Sequence, residues 1–355
     1  MDESIGGSVV ASKADMTAEL AADTDDREET TVLQWDEDVR AVLAARRARP
    51  TLQELGVERS RTMLEQAPRP SGPEMRSVRS TEFDGPHGRV PVRIYTPEGS
   101  VSPAPALVWF HGGGMIMGSL ESWDHLARAL AVASGAVVVN VGYRLAPEHR
   151  YPVANDEAYA AVEWVAAQHV SLGVDPARIA VGGDSAGGSL AAATALRARD
   201  AGGPTLVQQV LVYPGIERRS PRQSMVEFAD SPFLCATDVD WMKSLYLGDD
   251  PTADDQYGVP ALADDLSGLP AAIVVSARFD PLRDGVEEFG VRLRDAGVAT
   301  ALLRYPGVGH GFLVQVGSFA RADTAVAEIG ALVRARFSRP PAFAETHATT
   351  SEVHS

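Results

Sequence analysis

The sequence predicts an α/β fold: a mostly parallel central sheet with helices on both faces and a helical cap. Short apolar runs alternate with helical periodicity from about residue 106 to 336, which is typical of such a sheet. A chain of 355 residues with 45% hydrophobic content can bury a core of that size. The cap is predicted from residues 216–268, because a long segment without strands is usually functional or a small subdomain.

The N-terminal part of the chain precedes any strand. Residues 1–29 are small, acidic and aperiodic, so we expect them to be disordered. Residues 30–75 contain two stretches of helical spacing, one from about residue 31 to 43 and one from about 51 to 66. Because these helices come before the sheet, we expect them to belong to the cap rather than to the core.

Residues 76–337 are expected to form the main domain. Its first two strands are joined by a turn rich in glycine and proline, which is typical of a hairpin. The expected strands are 76–83, 90–95, 106–110, 136–141, 179–181, 209–213, 271–276 and 300–305. The expected helices are 156–170, 189–199, 238–247, 282–296 and 320–336, followed by a polar, disordered tail at 338–355.

Composition disfavours several classes of partner and site. The chain carries 32 Lys and Arg against 48 Asp and Glu, so neither nucleic acid nor an anionic membrane is an expected partner. Its one cysteine, Cys235, excludes an intramolecular disulfide and a zinc–thiolate cluster. We find neither a membrane-spanning apolar run nor a signal peptide. We therefore expect a cytoplasmic protein without metal or other cofactor, and a homodimer is one option for its oligomeric state.

The chain is organised around residues 179–188, where a strand ends in Gly-x-Ser-x-Gly and a helix begins. Ser185 lies between Gly183 and Gly187, and this context is typical of a nucleophile elbow. The serine takes a strained backbone conformation on a sharp turn, so its neighbours two residues away must be small. The turn brings the hydroxyl to a helix N-terminus, where a developing anion is favoured. A glycine-rich chain can also contain this pattern by accident, so the assignment depends on partner residues.

A serine hydroxyl becomes a nucleophile only when an oriented base takes its proton. In this fold the expected chain order is serine, acid, histidine, each in a loop after a strand. Asp280 follows the strand 271–276, and His310 lies in a glycine-flanked loop after the strand 300–305. Asp284 is the rival acid, and we favour Asp280 because it lies closer to the carboxyl end of its strand.

A triple glycine follows the strand 106–110, in His111-Gly112-Gly113-Gly114. Attack on a carbonyl places negative charge on its oxygen, and backbone N–H groups must then point at that oxygen. Glycines allow the main chain to approach without an intervening side chain. An N–H from this loop and that of Ala186 are expected to form the oxyanion hole.

Taken together, these motifs resemble the hormone-sensitive-lipase family of bacterial esterases, family IV of the α/β-hydrolases. The segments that carry the resemblance are, in the family's order, 111–114, 143–149, 183–187, 280–284 and 310–312. The chain departs from the family at two positions. Met115 replaces an aromatic residue that often follows the triple glycine, and Gly285 replaces a frequent glutamate.

The resemblance implies an α/β-hydrolase fold and a cap built from the N-terminal helices and the insert after the sixth strand. It implies structural roles for the segment 143–149 and for His111, which braces the glycine loop. The implied site residues are a catalytic triad of Ser185, His310 and Asp280 and an oxyanion hole from the amides of Gly113, Gly114 and Ala186.

The leading functional hypothesis is a serine carboxylesterase that cleaves short- to medium-chain esters of small molecules through an acyl-serine intermediate. An amidase or deacetylase acting on an acylated small metabolite is the alternative, since the motifs do not separate ester from amide. A binding protein on a hydrolase scaffold is disfavoured, because plant gibberellin receptors, which resemble the family, have lost the histidine that is present here as His310. The expected pocket residues are Met115, Ile116, Met117, Asp184 and Trp241, with Trp35 and Met242 as weaker candidates.

Overall fold

A computed structural model describes residues 35–218, 222–248 and 253–338 of the protein. The disorder expected for residues 1–29 and for residues 339–355 lies outside these ranges. Ser338, the first residue of the expected tail, ends the last helix instead.

An eight-stranded sheet with the order β1-β2-β4-β3-β5-β6-β7-β8 forms the centre of the molecule. Strand β2 is antiparallel to both of its neighbours, and every other pair is parallel. The mostly parallel sheet predicted from the sequence is therefore confirmed. The strands are β1 Ser77–Gly85, β2 Gly88–Thr96, β3 Ala104–Phe110, β4 Val137–Val141, β5 Val174–Asp184, β6 Leu206–Val212, β7 Ala271–Phe279 and β8 Thr300–Gly309.

Helices cover both faces of the sheet. Side chains alternate between the faces along a strand, so in β3 Val108 packs into one apolar cluster and Trp109 into the other. Burial on both faces explains why the strands are continuous apolar runs. The helices are α1 Glu37–Arg47, α2 Leu52–Gln66, α3 Asp124–Ser134, α4 Val153–Ala167, α5 His169–Leu172, α6 Ala186–Asp200, α7 Gln223–Glu227, α8 Ala236–Leu247, α9 Arg283–Asp295 and α10 Ala320–Ser338.

Several elements are longer than expected, and the helices α3 and α7 are additional. Strand β5 was expected at 179–181 but spans Val174–Asp184, because the apolar run marks only the part that is buried on both faces. Strand β7 continues to Phe279, so Asp280 follows it directly. Helix α3 was not among the expected helices. Its start carries no typical cap, since Trp123 occupies the N-cap position without a capping side-chain hydrogen bond.

Helices α1, α2 and α8 come from the two segments that the sequence predicts to form the cap. Val39 of α1 packs into one apolar cluster, and Met242 of α8 packs into the other. Helix α2 begins at a capping box formed by Thr51 and Glu54. The amide of Gln53 donates to Asp238 Oδ1 at 3.0 Å, which ties α2 to α8. Within the described ranges, none of the helices is both long enough and apolar enough to cross a membrane.

Candidate active site

Ser185 occupies the turn between the last residue of β5 and the first residue of α6. Its φ and ψ angles are 55° and −118°, which is a strained conformation for a residue with a side chain. A Cβ atom on Gly183 would lie 2.3 Å from the backbone of Gly187, and one on Gly187 would lie 1.9 Å from the carbonyl oxygen of Phe110. The two glycines are therefore required because the backbone at this turn is tightly packed.

A continuous hydrogen-bonded chain joins Ser185, His310 and Asp280. The Oγ atom of Ser185 lies 2.8 Å from His310 Nε2, and His310 Nδ1 lies 2.8 Å from Asp280 Oδ2. Asp280 is fully buried, and its other oxygen accepts the amide of Leu282 at 2.9 Å. Because an ionised carboxylate only accepts, it holds the proton on Nδ1 and leaves Nε2 free to take the serine proton.

The second candidate carboxylate, Asp284, has other partners. Asp284 lies in the first turn of α9, where its oxygens accept from Arg283 Nε and from the amide of Ser224, each at 2.8 Å. Of the two carboxylates considered in the sequence, the structure brings only Asp280 into contact with His310.

The glycine loop adopts a backbone that few side chains tolerate. Gly113 and Gly114 have φ angles of 109° and 63°. A Cβ on Gly113 would lie 2.1 Å from the carbonyl oxygen of Met117, and one on Gly114 would lie 2.0 Å from Met242 Sδ. Among the residues that the structure describes, the amides of Gly113 and Gly114 donate to no acceptor. Together with the amide of Ala186, the first residue of α6, they are free to bind an anionic oxygen.

His111 holds this loop in place. Its Nδ1 lies 2.7 Å from the carbonyl oxygen of Gly112, and its ring stacks on Tyr143 with centroids 4.3 Å apart. The hydroxyl of Tyr143 donates to the His111 carbonyl at 2.7 Å. Burial lowers the pKa of His111 to about 4, so the ring is neutral near pH 7.

Arg61 connects α2 to the same loop, a contact that the sequence analysis missed. Its Nε donates to the carbonyl of Ile116 at 2.7 Å, and its Nη2 donates to the carbonyl of Ala146 at 2.9 Å. The guanidinium also pairs with Glu148 at 2.7 Å and helps to lower the pKa of that carboxyl to about 2. Glu148 belongs to the 143–149 segment, but nothing in that segment identifies a partner 87 residues away.

Two cavities open at Ser185. The larger has a volume of about 510 Å³ and is lined by residues that include His310, Met117 and Asp184. The smaller has a volume of about 60 Å³ and is lined by residues that include Gly114 and Met115. The glycine loop, Ser185, α2 and part of the segment 216–268 thus line two connected branches of one site.

Three of the residues considered for the pocket, Ile116, Trp241 and the weaker candidate Trp35, do not line these cavities. Ile116 is fully buried in the hydrophobic core. Trp241 packs against the outside of that core, while the next residue, Met242, lines both cavities. Trp35 stacks on Phe279 at 4.1 Å between ring centroids and also lines neither cavity. Trp241 and Met242 are consecutive residues of a helix, so their side chains point in different directions. The sequence alone does not determine which of the two faces the cavities.

Asp184, the residue before the serine, is a buried carboxyl group. Its Oδ1 accepts the indole N–H of Trp123 at 2.9 Å. Burial raises the pKa of Asp184 to about 7, despite that hydrogen bond. The site therefore contains a carboxyl group whose ionised form is disfavoured in the folded protein.

Replacing Asp184 with asparagine is expected to stabilise the protein more at high pH than at low pH. Between about pH 4 and pH 7 the folded state binds more protons at Asp184 than the unfolded state, so stability falls as the pH rises. Asparagine removes this titration. We expect the gain in free energy of unfolding from Asp184→Asn to be about 2 kcal/mol larger at about pH 8 than at about pH 5, measured by urea unfolding.

The matched control is Asp175→Asn. Arg178 donates to Asp175 at 2.7 Å and lowers the pKa of Asp175, so Asp175 is ionised in the folded and unfolded states at both pH values. The effect of Asp175→Asn on the free energy of unfolding should therefore be the same at about pH 5 and about pH 8. An equal effect of Asp184→Asn at both pH values would show that Asp184 is ionised throughout.

Comparison with known proteins places the chain in a family. Residues 107–314 match a family described as having the alpha/beta hydrolase fold. Esterase LipI of Mycobacterium tuberculosis is 41% identical over 269 residues, 74% of this chain and 83% of that protein. Carboxylesterase NlhH of the same organism is 41% identical over 279 residues, 77% of this chain and 86% of that protein.

A solved structure supports the same placement. The hyperthermophilic esterase from the archaeon Pyrobaculum calidifontis has a TM-score of 0.80 to this chain at 38% identity. The match covers 85% of this chain and 98% of that one. With this likeness and the matched motifs, the chain belongs to the α/β-hydrolase family, in its hormone-sensitive-lipase-like (family IV) branch of esterases.

Proposed function

We propose that this carboxylic ester hydrolase cleaves short- to medium-chain esters of small molecules through an acyl-Ser185 intermediate. The observation that carries the proposal is the chain of two 2.8 Å contacts from Asp280 through His310 to Ser185. It supplies a nucleophile, a base and an orienting acid in one arrangement.

Acylation starts when Ser185 Oγ attacks the ester carbonyl carbon and His310 Nε2 takes the hydroxyl proton. The carbonyl oxygen becomes an anion that accepts hydrogen bonds from Gly113, Gly114 and Ala186. As the intermediate collapses, the C–O bond to the alcohol breaks, and Nε2 gives its proton to the leaving oxygen. Asp280 stays ionised and stabilises the imidazolium throughout.

Deacylation repeats these steps with water as the nucleophile. His310 Nε2 takes a proton from water as the water oxygen attacks the acyl carbon. The bond to Ser185 Oγ then breaks, and Nε2 returns the proton to the serine. The products are the free acid and the regenerated enzyme, so the reaction needs no redox partner.

The two cavities support a preference for short acyl chains. A cavity of about 60 Å³ has room for a short chain only. Most of its lining is apolar, including Leu234, Val239, Met242, Tyr246, Leu247, Val259 and Leu282. We assign it to the acyl group and the cavity of about 510 Å³ to the alcohol group.

We also propose that α1, α2 and the insert at about 216–268 act as a cap over a main domain of residues 76–337. Leu52 and Met63 of α2 line the larger cavity together with Phe233 and Met242 of the insert. A cavity roofed by helices suits a dissolved ester better than a long-chain lipid at an interface.

A chain-length series tests the proposed substrate class. We expect kcat/KM to be highest for p-nitrophenyl acetate to hexanoate and about 10-fold or more lower for decanoate, because extra methylenes overfill a packed pocket. The rate should not rise when micelles form. Emulsified palmitate cleaved as fast as dissolved butyrate would overturn the acyl-pocket assignment, and faster cleavage of the matched p-nitroanilide would favour the amidase alternative.

A further inference from the structure

The small acyl cavity contains a lysine that the reaction steps above do not use. The chain has only two lysines, Lys13 and Lys243, and relies on arginine for nearly all of its positive charge. Lys243 lies in α8 and lines the same cavity of about 60 Å³ as Ser185, Gly114 and Met115. A cavity this small keeps its lining groups within reach of a short chain bound to the serine.

The ammonium group of Lys243 retains unused donors. Its Nζ donates to the backbone carbonyl of Glu217, and in the described part of the chain this is its one acceptor. An ammonium has three N–H donors, so two remain for a ligand. Burial lowers the pKa of Lys243 to about 8, although Glu217 and Asp240 oppose this shift. At neutral pH the group therefore carries a charge in an otherwise mostly apolar pocket.

We propose that Lys243 determines acyl specificity, so that this cavity binds short acyl chains that carry an uncharged oxygen acceptor such as a keto or hydroxyl group. The inference rests on the proposed function, because it assigns this cavity to the acyl group. An acceptor oxygen on the acyl chain would satisfy an N–H of Lys243 that a plain alkyl chain leaves without a partner. An unmade hydrogen bond of a charged group in a mostly apolar pocket is costly.

The charges around Lys243 favour a neutral acceptor over a carboxylate. The negative charges of Glu217 and Asp240 both act on the ammonium and already balance part of its positive charge. Glu217 is also one of the cavity's lining residues, and its carboxylate accepts from Arg222 at 2.9 Å. A carboxylate on the acyl chain would add a further negative charge near Glu217 and Asp240, whereas a ketone or hydroxyl oxygen would not be repelled.

Matched esters test the proposal. Ethyl 4-oxopentanoate carries a keto oxygen, ethyl pentanoate is the plain alkyl ester, and monoethyl succinate carries a carboxylate. For each ester, kcat/KM is divided by the rate constant of its alkaline hydrolysis, which corrects for differences in intrinsic reactivity. In the wild type the oxo ester should exceed both others. In Lys243→Met the preference for the oxo ester over the alkyl ester should fall by about 10-fold, since the charged hydrogen bond is lost. Ser244→Ala, an exposed neighbour on α8, should leave the ratio unchanged.

A second measurement applies if Lys243→Met does not fold. In the wild type, the oxo preference should decline as the pH rises from about 6.5 to about 9.5, because the ammonium loses its proton in this window. A preference that survives both Lys243→Met and high pH, or a wild type that favours the succinate or alkyl ester, would overturn the role of Lys243. Loss of turnover on all three esters would instead contradict the proposed function.

Discussion

Replacing Ser185 with alanine is expected to lower kcat/KM for p-nitrophenyl butyrate by at least about 10⁴-fold. The variant lacks the oxygen proposed to form the acyl bond, and within the described ranges Ser185 is the serine that contacts His310. The oxyanion donors and the cavity remain, so weak residual turnover by direct attack of water is expected. Hydrolysis at increasing enzyme concentration measures the difference.

The fold should survive the Ser185→Ala change. At a φ of 55° alanine is no more strained than serine. The melting temperature should therefore stay close to that of the wild type. Ser171→Ala, an exposed change in α5, serves as the activity control. A folded Ser185→Ala enzyme with near wild-type turnover would show that another group is the nucleophile.

Replacing Asp280 with asparagine is expected to reduce kcat by about 10³–10⁴-fold. The carboxylate holds the proton on His310 Nδ1 across a 2.8 Å contact. An amide nitrogen in that place would donate to Nδ1 and move the ring proton to Nε2, where the ring can no longer accept from Ser185. The kcat of purified Asp280→Asn on a dissolved ester measures the effect.

The matched variant is Asp284→Asn, which lies four residues away. In the wild type the carboxylate of Asp284 accepts hydrogen bonds from Arg283 and Ser224 and does not contact His310. The kcat of Asp284→Asn should therefore fall by less than about 10-fold, while its free energy of unfolding should decrease. If Asp284→Asn were the more damaging change for kcat, the acid would have been assigned to the wrong residue.

Much of the sheet and of the site could be predicted from the sequence, because strong local constraints leave a pattern. Strands such as β3 are buried on both faces and appear as apolar runs. The glycines around Ser185 are fixed by contacts of about 2 Å that no side chain tolerates. The chain order of serine, acid and histidine then follows from the fold.

Other features could not be predicted, since they depend on contacts between distant segments. Arg61 reaches the glycine loop from a helix whose sequence shows only that it is amphipathic. Lys243 lies in α8 among both polar and apolar residues, and its place in the lining of the smaller cavity depends on how that helix is rotated. The same rotation explains why Met242 lines the cavities and Trp241 does not.

Covalent labelling tests the central claim, that Ser185 is the nucleophile, most directly. The enzyme is incubated with a p-nitrophenyl alkylphosphonate, and the site and stoichiometry of the label are determined by mass spectrometry of the intact protein and its peptides. We expect one phosphonyl group per chain, on Ser185, with no labelling of Ser185→Ala. A label on Ser189 or on any other residue, or an inactivated enzyme without a label, would contradict the account.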